Sequence, residues 1–146
     1  EVAFRLAKKF GAHRNTIDFV LRDYVARSRR TNWMMHTIEL PSPNMILEFA
    51  RLGASRPAVE LVAAEFARQG ITGAFLDATK LLGRKPKEAE VAMLVKDYID
   101  GATGGSEMSE AQEELIKLAK GVSREFGERV SDKLAERRRR LALQLD

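Results

Sequence analysis

The residues of this chain best suited to chemistry are His13, Arg14, Asn15, Thr16 and Asp18. Arginine and asparagine carry forked donors and acceptors that match the major-groove edges of guanine and adenine, and a threonine hydroxyl beside the first amides of a helix suits a phosphate. They sit in the run Leu6-Ala7-Lys8-Lys9-Phe10-Gly11-Ala12-His13-Arg14-Asn15-Thr16-Ile17, which Leu21 and Tyr24 continue. The run has the punctuation of a helix-turn-helix. Ala7 is small where two helices would cross, Gly11 supplies a tight turn, and Phe10, Ile17, Leu21 and Tyr24 share one helical face. That arrangement turns the start of the second helix toward a major groove. Arg14 and Asn15 would then read base edges, and His13 and Thr16 would meet phosphate or sugar. A purely structural hairpin also needs a small residue and a turn glycine, and it stands as the plain alternative.

Composition limits what else the chain can be. Its 146 residues, 45% of them hydrophobic, suffice for one domain with its own core. The 25 basic and 21 acidic residues leave a net charge of +4, a mild excess that favours an anionic partner without requiring one. There is no cysteine, hence no disulfide and no thiolate chemistry, in keeping with a reducing cytoplasm. With only His13 and His36 as imidazoles, a zinc site would need carboxylates gathered from afar, so no metal and no cofactor is expected. No apolar run has the length of a membrane span and no signal-peptide pattern occurs, so no membrane partner is expected. The chain starts at Glu1 within a helical pattern, which reads as part of something longer.

Helices must position the candidate residues, because the periodicity is helical nearly throughout and strand signals are almost absent. Val2 to Phe10 and Asn15 to Ser28 form the first pair, with Arg27, Arg29 and Arg30 as a basic exit. Thr31 to Pro43, containing Trp33, Met34 and Met35, reads as a short helix or irregular connector closed by the Pro41 and Pro43 turn. Those three apolar residues suit either a core or an exposed dock, and core packing is the commoner fate. Ser42 or Asn44 caps Met45 to Leu52, Ser55 caps Arg56 to Gln69, Thr72 opens a helix through Leu82, and Pro86 opens another to Asp100. The apolar face of that last helix is read as Ala89, Ala92, Met93, Val95, Tyr98 and Ile99.

Gly101-Ala102-Thr103-Gly104-Gly105-Ser106 has no apolar anchor and reads as a hinge between residues 1–100 and 107–146. Beyond it Ser109 caps one long amphipathic helix with the stripe Leu115, Leu118, Val122, Phe126, Val130, Leu134, Leu141 and Leu145. This stripe needs a partner surface, either the domain's own core, which is preferred, or a second subunit in a homodimer. Arg137 to Arg140 are read as a solvated face near the helix C-terminus. Glu60 and Glu65 also read as solvated faces, and no spacing of nucleophile, base and orienting group suggests an enzyme.

One internal echo points elsewhere. Phe49-Ala50-Arg51-Leu52-Gly53 and Phe66-Ala67-Arg68-Gln69-Gly70 match, as hairpins of a tetratricopeptide or pentatricopeptide array would. The uneven spacing of the glycines between helices argues against a repeat. A helical-repeat scaffold or RNA-binding protein is therefore the second reading.

Further segments follow in a telling order: Ile38-Glu39-Leu40-Pro41-Ser42-Pro43, Ala58-Val59-Glu60-Leu61-Val62 with Phe66, Phe75-Leu76-Asp77, and Met93-Leu94-Val95-Lys96-Asp97-Tyr98-Ile99. Following a helix-turn-helix, this order resembles the operator-binding domain of the ParB/KorB family, over roughly Leu6 to Asp100. The connector from Tyr24 to Ile38 is longer than that family usually has. The resemblance implies a helix-turn-helix followed by a compact bundle, and double-stranded DNA binding in plasmid partition or transcriptional repression. It places the recognition helix at His13 through Arg22, and a second DNA-facing region near Ser55, Arg56, Lys85 and Lys87. Arg27, Arg29, Arg30, Lys85 and Lys87 would add attraction that ignores sequence.

Overall fold

The computed structural model describes residues 14–34, 40–101 and 108–145, with the helical backbone alone for 31–34 and 145. Among these residues every regular element is a helix, so the fold is all-α. The helices are α1 (Arg14–Met34), α2 (Pro43–Arg51), α3 (Arg56–Gln69), α4 (Thr72–Leu82), α5 (Glu88–Asp100), α6 (Glu110–Val122) and α7 (Arg124–Leu145). The first helix expected of the helix-turn-helix, its Gly11 turn, His13, the side chains of Trp33 and Met34, and Met35 to Ile38 lie outside the described residues. Apart from Gly101, so does the expected hinge.

The chain forms two compact units. The first takes residues up to Phe66 together with Ile71–Arg84, and the second takes Ala67–Gly70 together with Lys85 onward. The division thus falls at Arg84 and Lys85, not at the glycine-rich segment, because α5 packs with α6 and α7.

In the first unit α1 buries Ile17, Leu21, Tyr24 and Val25, at the spacing read from the sequence. The helix does not stop at Ser28. It continues to Met34, since no proline or glycine interrupts it, and Arg27, Arg29 and Arg30 lie within it rather than at its exit. Ser28 faces inward, one more turn along the buried stripe. The tyrosine ring of Tyr24 meets Phe66 edge-on with centroids 6.0 Å apart. Ser42 is the cap of α2, its Oγ accepting from the Met45 amide at 3.2 Å, so the helix begins at Pro43, where a missing N–H costs no hydrogen bond. The α3 and α4 boundaries fall as expected. Gly83 closes α4 in the left-handed region, with its amide on Lys80 O and the Arg84 amide on Thr79 O.

The second unit departs more from expectation. Helix α5 starts at Glu88, and the Lys87 amide donates to Glu90 Oε1 at 2.9 Å. That cap draws Glu90 inward and rotates the buried face to Glu90, Val91, Leu94 and Val95, leaving Ala89, Ala92 and Met93 exposed. The expected long C-terminal helix is two helices. Ser123 is extended at φ −161 and ψ 157, and its Oγ accepts from the Phe126 amide at 3.1 Å, capping α7. Steps of four residues run straight through this break, which is why the stripe concealed it. The two helices face each other in an antiparallel hairpin: Leu115, Ile116 and Ala119 of α6 and Phe126, Val130 and Leu134 of α7 are buried, while Leu118, Val122 and Leu141 of the expected stripe are half-buried. The close approach depends on Gly127, where a Cβ would stand 2.9 Å from Lys120 Cα.

Candidate nucleic-acid interface

Helix α1 carries most of the candidate residues. With Ile17, Leu21 and Tyr24 buried, helical geometry turns Asn15 and Thr16 off the buried face, and both are exposed; Arg14, three residues before Ile17 on the side of the stripe, is exposed at the first residue of the helix. Their helix holds five arginines, Arg14, Arg22, Arg27, Arg29 and Arg30, against Asp18 and Asp23. All five arginines are exposed. Opposite the buried stripe runs Asn15, Phe19, Arg22 and Ala26, and Phe19 is 69% exposed. Sequence reading missed Phe19. The signal was its phase: two residues from both Ile17 and Leu21, it cannot share their face.

Not every candidate keeps its charge for a ligand. Asp18 accepts from the Ser55 amide at 2.8 Å, tying α1 to the start of α3. Desolvation raises its carboxyl, but the Ser55 hydroxyl and amide, with Arg22 and Arg14 one helical turn away on either side, outweigh that and hold it below its ordinary value. Arg27 pairs with Asp23 at 2.9 Å, and Arg29 reaches Glu65 Oε1 at 3.5 Å. Arg22 and Arg30 add exposed charge to the same helix.

Of the second expected region, Ser55 caps α3 by accepting from the Ala58 amide at 3.4 Å, and Arg56 donates to the Leu82 carbonyl at 3.0 Å. Both belong to the first unit. Lys85 and Lys87 are exposed and belong to the second, where Lys87 is the residue at the cap of α5.

Three expectations about charge are corrected. Glu65 is not on a solvated face: it is 1% exposed, and Ser28 Oγ donates to its Oε2 at 2.7 Å. Glu60 is held by Arg84 through two bonds, 2.8 Å from Nε and 2.7 Å from NH2. Arg137 is 6% exposed, its guanidinium 5.3 Å from the Tyr98 ring centroid and its NH1 buried without an acceptor among the described residues. The solvated reading failed for one reason in all three. A helix with a mixed-charge face has no apolar contrast to show which charges a neighbouring segment, helical for Glu65 and Arg137 and the turn after α4 for Glu60, will cover or pair.

The echo of Phe49 to Gly53 and Phe66 to Gly70 also has a local cause. Both segments are helix C-termini, in which the phenylalanine and alanine are buried and the glycine takes positive φ, 130 at Gly53 and 75 at Gly70. Shared termination chemistry accounts for the match without a repeat.

No family model, curated protein or solved structure matches this chain. Among the described residues no three or more His, Asp or Glu side chains gather to hold a metal ion, and no helix is long and apolar enough to cross a membrane.

Proposed function

We propose that the chain binds double-stranded DNA through the exposed face of α1, as a ParB/KorB-like protein of plasmid partition or transcriptional repression acting in the cytoplasm. One observation carries the reading: Asn15 and Arg22 project from the solvent face of a helix whose opposite face is locked into a core, and Arg14 is exposed at its first residue. Base-reading side chains need such a rigid support, since a loosely held arginine forfeits part of its bidentate hydrogen bonding to ordering entropy. Arg14 and Asn15 read base edges, Thr16 contacts phosphate, and Arg22 and Arg30 add attraction independent of sequence. The role is binding and not catalysis.

The test is fluorescence anisotropy of the chain with a random duplex pool and with duplexes selected from it, across a salt series. Affinity should fall roughly tenfold or more from low to physiological salt. Arg14→Ala should cost about 1 to 3 kcal/mol on the selected duplex and little on the pool, whereas Arg30→Ala should weaken both alike. Absence of duplex binding at low salt overturns the reading, and tight binding of single-stranded RNA in its place selects the helical-repeat alternative.

A further inference from the structure

We infer that Phe19 is a base-reading contact and that the group it reads is the 5-methyl of thymine. This rests on the DNA-binding role of α1 proposed above and adds a base preference to it. A lone exposed apolar residue is ordinary on a protein surface. Phe19 differs by its place. It is 69% exposed on the solvent face of the N-terminal third of α1, between Asn15 four residues before it and Arg22 three residues after it. A recognition helix in a major groove presents the solvent face of its N-terminal residues to the base edges. There a phenyl ring can neither donate nor accept, and it gains nothing from a phosphate. The one apolar group that the major groove offers is the thymine methyl.

A protein partner is the competing occupant of an exposed phenylalanine, and the surroundings disfavour it. Around Phe19 the face carries Asn15, Thr16, Arg22 and Asp23, with the half-buried Val20 beside it and Ala26 two turns on, so the apolar area is small and flanked by polar groups. A protein–protein contact centres on a contiguous apolar cluster with charged residues at its rim. Here the charged and amide groups flank the ring directly, which matches a base-pair floor with hydrogen-bonding edges on both sides of a methyl.

The experiment uses the full chain and duplexes it selects from a random pool, resynthesised with deoxyuridine for thymidine, which deletes the methyl and keeps the pairing. Wild type should bind the uracil duplex about fourfold more weakly per contacted methyl, the ratio expected for burial of one such group. Phe19→Ala should bind the thymine and uracil forms alike, and Phe19→Leu should keep part of the preference. The ring is exposed, so both variants should retain wild-type circular dichroism. Equal binding of both forms by wild type, or an undiminished preference in Phe19→Ala, overturns the inference while leaving duplex binding intact. Self-association lost in Phe19→Ala, with the thymine preference unchanged, assigns the ring to a protein contact and also overturns it. Failure of wild type to bind any duplex is the separate failure of the DNA-binding reading.

Discussion

Glu65 in the first unit and Arg137 in the second are buried charges held in opposite ways, while Glu90, also buried in the second, has the Lys87 amide as its donor. In the first, the Glu65 carboxylate receives the Ser28 hydroxyl at 2.7 Å and faces Arg29 at 3.5 Å, joining α3 to α1 across 37 residues of sequence. In the second, the Arg137 guanidinium lies against the Tyr98 ring while its NH1 finds no acceptor among the described residues. Around it is a mostly neutral network: Gln112, fully buried, donates to the Tyr98 hydroxyl at 3.0 Å and accepts from Arg138, and the Tyr98 hydroxyl lies 3.3 Å from Ser109 Oγ. A buried anion with a matched donor is a bond that fixes helix positions. A buried cation with an unfilled donor is a packing solution that retains an electrostatic cost. The difference teaches that burial of a charge does not by itself reveal whether that charge stabilises.

The largest expected effect breaks the first half of that contrast. Glu65→Ala removes the acceptor of a buried hydroxyl and leaves a small cavity beside Ser28. The cost should be about 2 to 4 kcal/mol, from the unsatisfied hydroxyl and the lost packing together. The Arg29 pair contributes little to this figure, because its side chain is 61% exposed and solvent screens it. Arg29→Ala should therefore cost under about 1 kcal/mol. Urea unfolding of both variants checks the ranking, and a larger loss in Arg29→Ala would reverse the account.

What was legible in the sequence follows from the same physics. The Ile17, Leu21 and Tyr24 stripe stood out by its steps of four and three, and the exposure of Asn15 and Thr16 came with it. The α3 and α4 ends were marked by Ser55, whose hydroxyl caps the helix that follows it, and by Gly70 and Gly83, which act through their own backbone. Glu65, Arg137 and the break at Ser123 were not legible. Burial of the first two is decided by helices far away in sequence, and Ser123 carries a cap in the middle of a stripe whose period never falters. Phe19 lay in view, but an apolar residue out of phase with a core stripe is easily passed over as noise.

A smaller effect, of opposite sign, sharpens the second half of the contrast. Arg137→Met keeps an unbranched side chain of similar reach against Tyr98 and deletes the buried NH1 donor. An unsatisfied buried donor costs about 1 to 3 kcal/mol, and a cation over an aromatic face returns about 0.5 to 2 kcal/mol. The net should be neutral to stabilising by about 1 kcal/mol, as for other buried charges replaced by apolar residues of like volume. Destabilisation beyond about 1 kcal/mol in thermal or urea unfolding would show that the guanidinium is a bond after all and dissolve the distinction between the units.

The smallest effect concerns how Arg137 acts on its neighbour. Desolvation raises the Tyr98 phenol, but hydrogen bonds with Ser109 and Gln112, and the charges of Arg137 and Arg138, together hold it below its ordinary value. An acid lowered on folding gives up its proton earlier in the folded chain than in the unfolded one. Between the two values the unfolded chain holds more protons, so stability rises with pH as the folded phenol ionises, and the gain is complete above the unfolded value of about 10. Asp18 follows the same sign at the acid end, where its contribution is full above the usual carboxylate value and lost as pH falls through the lowered one. Arg137→Met removes one of the charges that favour the phenolate and leaves the Ser109 and Gln112 hydrogen bonds in place. The Tyr98 titration, followed by its ultraviolet phenolate band and assigned with Tyr98→Phe against the other tyrosine, Tyr24, should therefore move up part of the way. The alkaline gain in stability should shrink with it. An unmoved titration would mean that the guanidinium touches the ring without sensing the charge on its oxygen, and Arg137 would then be only a packing residue.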